Sequence, residues 1–326
     1  MIPYTPPKPV SALPIVDLAL LDSDDPCDRN ALAEQVRRAC LDTGFFYVRQ
    51  HGVANDLIER QYALSRTFFD LDLEAKLRVA QHRSPAKRGY EPQSAQTLDN
   101  GSPPDLKESF RFGRDPEAGN PYSARDLPTY GASQWPAESP GLGEAMLPYY
   151  DAMIATGDRI LRAIALSLEQ PESYFKPFYR NPMATVRLLK YPPNPRHAEL
   201  NQIGAGAHTD WGGITILSQD SVGGLEVQNV AGDWIHAPPV DDAFIVNIGD
   251  LMARWTNGRY RSTLHRVKNS AQHKDRYSIA FFYDPAYDSL IDCIASCQHD
   301  ARDRQFAACT AGEHIAEMHR RTSTRA

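Results

Sequence analysis

The sequence has no run approaching the roughly 18 apolar residues that a membrane-spanning helix requires. A chain that stays out of the bilayer is expected. It also has no CxxC pair: Cys27, Cys40, Cys293, Cys297 and Cys309 are odd in number and scattered, which argues against a disulfide framework and for a reducing compartment. Cys293 and Cys297, with His299 close by, are too loosely spaced for a zinc motif, and no second pair completes them; they read as free thiols. No basic stripe or lysine-rich amphipathic face is present, so neither nucleic acid nor a membrane surface is an expected partner. The opening, MIPYTPPKPVSALPIVDLAL, is proline-rich and lacks a basic segment leading into an apolar one. No signal peptide and a cytoplasmic location are therefore expected.

What is present suffices for a sizeable core. Of 326 residues, 42% are hydrophobic and 23% charged, and the net charge of −6 is spread along the chain. One large domain, or a core with an N-terminal extension, follows from that size. LPIVDL and FFYVRQHG read as strands; residues 30–43 and NDLIERQYALSRTFFDL read as helices, the first stopped by Gly44. From Arg83 to Pro140 proline, glycine, serine and aspartate dominate, as in a long functional loop region. A long amphipathic helix follows from about Leu142 to Glu169, with Gly157 on its buried stripe and Pro148 marking a kink or its start.

Beyond Ala184 the hydrophobic period changes from 3.6 to 2. Eight short strand candidates separated by Gly, Pro, Asn and Asp turns predict a jelly roll or barrel. The expected organisation is an N-terminal α/β region with its loop segment (1–140), a supporting helix and linker (141–183), a jelly-roll core (184–290) and a C-terminal helical segment (291–326). The fold class is thus mainly β with flanking helices.

One stretch of that core carries chemistry. In GAGAHTDWGG, His208 and Asp210 stand at i and i+2, positions that leave the same face of a strand. A second histidine, His265, lies in the strand candidate STLHRVK. Two neutral imidazoles and one carboxylate on one face of an octahedron leave the opposite face open, the facial triad of non-haem Fe(II) oxygenases. Farther on, RYS places Arg276 and Ser278 on one strand face. A guanidinium forks onto a carboxylate and a hydroxyl adds a short hydrogen bond, so the pair reads as a carboxylate site. If these two face inward, Ala280, Phe282 and Asp284 follow them, and Phe282 should border a substrate. Tyr90, Phe110 and Arg111, in the long loop region, are candidate contacts to a polar substrate. Trp211 beside Asp210 either narrows the entrance or packs on the outer sheet, with packing favoured. Asn247, Gly249 and Asp250 in VNIGDLMARW read as structural.

With those motifs in place the chain resembles the isopenicillin N synthase-like family of non-haem Fe(II) oxygenases, most of which depend on 2-oxoglutarate. The resemblance runs nearly its whole length, through LPIVDL, GFFYVRQHGV, RGYEP and DLKESF, then GAHTDWGGITILSQDSVGGLEVQ, FIVNIGDLMARWTNGRYRSTLHRV and RYSIAFFYDP. It implies that His208, Asp210 and His265 are iron ligands and catalytic, and that Arg276 and Ser278 hold the distal carboxylate of 2-oxoglutarate. Tyr191 matches a tyrosine that often reaches the co-substrate or the substrate carboxylate. Leu189 and Lys190 depart from plant members, which often carry asparagine and tyrosine there. The implied reaction is oxidation of a C–H bond of a small molecule by dioxygen, as hydroxylation, desaturation or ring closure, with succinate and carbon dioxide as co-products. Two other readings are an oxidase of this fold that dispenses with 2-oxoglutarate, and a metal-binding jelly roll without turnover. Nothing in the sequence demands an oligomeric partner.

Overall fold

The computed structural model describes residues 2–8, 13–99, 101–117, 119–122, 127, 130–195, 201–269, 271, 273–298 and 304–323. Fourteen strands are assigned among them. The first half supplies β1 (Ile15–Asp17), β2 (Phe45–Arg49), β3 (Gly89–Glu91) and β4 (Glu108–Phe112). The second half supplies β5 (Thr185–Tyr191), β6 (Ala205–His208), β7 (Ile214–Gln219), β8 (Leu225–Gln228), β9 (Trp234–His236), β10 (Phe244–Ile248), β11 (His265–Val267) and β12 (Arg276–Tyr283). A short pair, β13 (Leu290–Ile291) and β14 (Cys309–Thr310), follows. Each of the eight strand candidates beyond Ala184 thus forms a strand, β5 to β12.

Two sheets face each other. The larger runs β1-β2-β10-β7-β12-β5-β4-β3, and the smaller runs β6-β11-β8-β9. Half the larger sheet comes from the first 140 residues, so that region is built into the same sheet as the core. The strands β3 and β4 lie in the stretch that reads as loop in sequence: they pair with each other, and β4 with β5.

Helices cover the outer face of the large sheet. They are α1 (Pro26–Asp42), α2 (Asn55–Phe69), α3 (Leu73–Arg78), α4 (Leu142–Ser167) and α5 (Asp250–Trp255), with α6 (Ala311–Ser323) near the C-terminus. Helix α1 starts earlier than its apolar period, because Asp25 Oδ1 accepts the Cys27 N–H at 2.8 Å and Pro26 suits the first turn. At its end Gly44 has φ +68°, and a Cβ there would meet the Arg261 carbonyl oxygen at 2.0 Å. Pro148 lies inside α4, which begins at Leu142. No helix among the described residues is long and apolar enough to cross a membrane.

Alternate residues of the large sheet go to different cores. Phe46, Val48, Val186, Leu188, Ile214, Ile216, Val246, Ile248, Ile279, Phe281 and Tyr283 pack outward with the helices. Phe45, Tyr47, Leu189, Tyr191, Ile245 and Ala280 face inward, toward Ala205, Leu225, Val227, Ile235 and Val267 of the small sheet. Both faces of the large sheet are therefore buried.

Helix α4 meets the sheet at Gly157, where a Cβ would lie 2.5 Å from the Tyr283 ring. That ring is held, since Tyr283 is buried and its hydroxyl donates to Asp158 Oδ1 at 2.7 Å. Gly157→Ala should gain about 0.5–1 kcal/mol of helix preference and lose about 1–3 kcal/mol to overpacking. Net destabilisation is expected in a denaturant titration; a rise in stability would show that the α4 contact yields freely.

Candidate active site

Strand pairing brings the two histidines together. His265 of β11 stands directly opposite His208 of β6, and their rings lie 4.2 Å apart. Asp210 joins them from the loop that follows: β6 ends at His208, so the pair converges through a turn and not along one strand face as its spacing suggests. The Asp250 N–H, at the start of α5, fixes that turn by donating to the Asp210 carbonyl at 2.8 Å. Asp210 Oδ1 sits 3.9 Å from Nε2 of each histidine, and one ligand atom from each residue falls within 4.8 Å of the others.

Every atom not needed for a metal is already engaged. His208 Nδ1 lies 2.8 Å from the Gly206 carbonyl and His265 Nδ1 3.2 Å from the Thr263 carbonyl. A carbonyl only accepts, so Nδ1 carries the proton and the Nε2 lone pair is left for a metal. Asp210 Oδ2 accepts from Thr215 Oγ1 at 2.6 Å and Asn247 Nδ2 at 2.8 Å, which leaves Oδ1 for the metal. Burial, followed by the neighbouring His265, pushes His208 far below its ordinary range and keeps it neutral. Burial alone would raise Asp210, but His265, His208 and the bonds from Thr215 and Asn247 outweigh it, so the group stays ionised. Two neutral nitrogens and one carboxylate oxygen, with their second atoms tied, suit a divalent iron. Among the described residues this is the one metal-capable group of three or more; Cys293 and Cys297 form no such group, and His299 lies outside the described residues.

Thr215 and Asn247 follow strand parity: they are the inward, polar positions in β7 and β10 between outward isoleucines and valines. Asn247, read from sequence as structural, therefore positions a candidate ligand. Asn247→Ala should lower iron affinity about 10- to 100-fold with a cooperative unfolding transition retained. An unchanged affinity by chelator competition would show the bond to be incidental.

A cavity between the sheets opens from the triad toward Arg276, and Tyr191, Ser278, Leu189, Phe282 and Lys107 are among its walls. Arg276 is fully buried and the Tyr191 ring lies 4.8 Å from its guanidinium carbon. It donates to the Gly223 carbonyl, to Gln219 Oε1 at 3.0 Å and to Ser278 Oγ at 3.1 Å, yet has no carboxylate partner among the described residues. A buried guanidinium without an acid is costly unless a ligand supplies one. The residues thus fit a dicarboxylate with one end at the triad and the other at Arg276. Leu189 presents only hydrocarbon here, while Lys190 points to the other face, toward Glu108 and Asp275 at 3.5 Å.

His208 and Asp210 also border an outer compartment lined by Arg111, Arg187, Trp211, Phe282, Asp284 and residues of α6. Trp211 faces this mouth and meets His319 of α6 edge-on, with ring centroids 5.1 Å apart, where packing on the outer sheet is the favoured expectation from sequence. Helix α6 contributes Ile315 and His319, a role with no chemical motif in the sequence. Tyr90 and Phe110 are not brought to the site: both pack in the helix-side core. Because Gly89 pairs with Arg111, Tyr90 pairs with Phe110 and turns to the helix side, where its hydroxyl donates to Glu108 Oε2 at 2.8 Å.

Comparison with known proteins adds the family. Residues 13–138 match the model described as the N-terminal region of non-haem dioxygenase in morphine synthesis, and residues 181–285 match the 2OG-Fe(II) oxygenase superfamily. The chain is 35% identical over 322 residues to a 2-oxoglutarate-Fe(II) type oxidoreductase of Emericella nidulans, covering 97% of this chain and 92% of the relative. It is 33% identical to a homoarginine-6-hydroxylase of Glycine max, over 94% and 95% of the two chains. A crystal structure of a full-length Neurospora crassa protein in complex with alpha-KG and thymine superposes with a TM-score of 0.84 at 31% identity, over 95% of this chain and 97% of that one. These matches and the site agree: the chain belongs to the 2OG-Fe(II) oxygenase superfamily and is an Fe(II)- and 2-oxoglutarate-dependent dioxygenase.

Proposed function

We propose that His208, Asp210 and His265 hold the iron, that Arg276, Ser278 and Tyr191 hold 2-oxoglutarate, and that the outer compartment presents a C–H bond of a small molecule to that centre. Iron, once bound, supplies the redox chemistry by which dioxygen, 2-oxoglutarate and substrate become succinate, carbon dioxide and hydroxylated product. One oxygen atom goes to succinate and the other to product. Desaturation or ring closure would send the second oxygen to water.

The chain's own share is positional. Arg276 neutralises the far carboxylate and, with Ser278, fixes its distance from the triad. Thr215 and Asn247 keep one carboxylate oxygen of Asp210 out of coordination, so open positions remain for two more ligands. The apolar walls, Leu189, Leu217 and Val267 among them, exclude water from the co-substrate. Phe282 borders both compartments and Trp211 the outer one, where they orient the substrate. Their apolar surfaces favour an organic body over a hydrated ion. Five free cysteines accord with a cytoplasmic location.

The observation that carries this reading is the acid-free, buried Arg276 in one cavity with the triad. Its test is 2-oxoglutarate consumption under air with Fe(II): slow succinate release without substrate and faster release with one, matched in oxygen uptake. Iron-loaded protein that never forms succinate, across a broad panel of small molecules, would leave the assignment of these residues without support.

A further inference from the structure

Three guanidinium groups line the two compartments, and two of them are accounted for. Arg276 is taken up by the co-substrate. Arg187 is bound to Glu91, to Ser109 Oγ at 3.0 Å and to Gln96 Oε1 at 3.2 Å. Arg111 is different: its Nε is buried without a hydrogen-bond partner, its guanidinium carbon lies 5.4 Å from the Phe282 ring, and the nearby carboxylate, Glu91, is taken up by Arg187. Burial and then the neighbouring Arg187 draw it down to about 10, against the opposing pull of Glu91 and Asp284. The acid in the same lining, Asp284, does not serve as its partner. Its Oδ1 accepts the Gly213 N–H at 2.8 Å, and no ion pair joins it to Arg111 among the described residues.

Register places Arg111 apart from the co-substrate. Across the large sheet Arg111 pairs with Arg187, and Arg187 with Ala280, whereas Arg276 pairs with Tyr191. The two rows are four residues apart on β12, roughly 13 Å at 3.3 Å per residue. One cation therefore stands at each end of a cavity whose two compartments share His208, Asp210 and Phe282. The outer end also carries apolar groups: Leu98, Met183, Trp211 and Ile315.

We propose that Arg111 anchors a carboxylate of the primary substrate, which is therefore a small organic acid with an apolar body lying along Phe282 and Trp211 toward the triad. This rests on the reading of the site as a 2-oxoglutarate-dependent centre. A single cation balances one negative charge, so a monoanion suits this end of the cavity better than a dianion such as a phosphate monoester. A planar fork on an aromatic face suits the two oxygens of a carboxylate.

The test uses full-length protein loaded anaerobically with Fe(II) and saturating 2-oxoglutarate. A graded panel of straight-chain and aryl monocarboxylic acids, each beside its primary amide, is titrated while the visible band of the iron–co-substrate complex is followed. Wild type should bind acids over matched amides by roughly 10- to 100-fold. Arg111→Gln should erase that preference while the 2-oxoglutarate dissociation constant stays unchanged, and Arg111→Lys should keep part of it. The thermal midpoint of Arg111→Gln should hold or rise, since a buried cation is removed. Equal binding of acids and amides by wild type, binding of none of the acids, or a preference that survives Arg111→Gln would overturn the proposal. If 2-oxoglutarate itself failed to bind, the failure would lie with the underlying reading of the site instead.

Discussion

Asp210→Ala is expected to abolish 2-oxoglutarate turnover and to leave the protein without stoichiometric iron after gel filtration. The carboxylate is the one anionic donor of the triad, and its loss leaves two imidazoles whose nitrogens no longer define an octahedral face. A metal acting on a bound oxygen contributes several kcal/mol, and about 4 kcal/mol corresponds to a thousandfold in rate. A drop of at least that size should appear in succinate release. The fold should survive, because Thr215 and Asn247 lose an acceptor at a cost of about 1–3 kcal/mol, offset in part by removal of a buried carboxylate that burial disfavours. A variant that holds one iron and turns over at the wild-type rate would remove Asp210 from the ligand set.

The second large effect is at Arg276. Truncating one partner of a buried, hydrogen-bonded charge pair costs about 2–5 kcal/mol, which is about 30- to 3,000-fold in affinity. Arg276→Ala should raise the 2-oxoglutarate dissociation constant by a factor in that range while iron binding by His208, Asp210 and His265 stays intact. Arg276→Lys should recover only part of the loss, since an ammonium keeps the charge but not the fork onto Ser278, Gln219 and the ligand. Isothermal titration into metal-loaded protein reads both. An Ala variant within threefold of wild type would mean that the co-substrate's far carboxylate lies elsewhere.

The strands of the core are readable in the sequence because hydrophobic period and turn residues are local signals. Eight period-2 runs form eight strands, and the structure brings His208, Asp210, His265, Arg276 and Ser278 to the walls of one cavity. What is not readable is set by pairing. Strands β3 and β4 are three and five residues long in a proline-rich stretch, and β4 is held by β5, more than seventy positions away. That same register decides the fate of two candidates: with Gly89 opposite Arg111, Arg111 turns to the cavity and Tyr90 to the helices. Asn247 did carry a signal, as the lone amide in the buried run FIVNI, but its meaning depends on β10 pairing with β7 beside Asp210. The approach of α6 to Trp211 is a long-range contact with no motif of its own.

The measurement that bears most directly on the central claim is an anaerobic titration of Fe(II)-loaded protein with 2-oxoglutarate, followed in the visible range. A saturable charge-transfer band at one equivalent per iron, weakened in Arg276→Ala and missing in Asp210→Ala, is the predicted result. Iron demonstrably bound with no band at any 2-oxoglutarate concentration would contradict it, because the co-substrate would then not be meeting the metal.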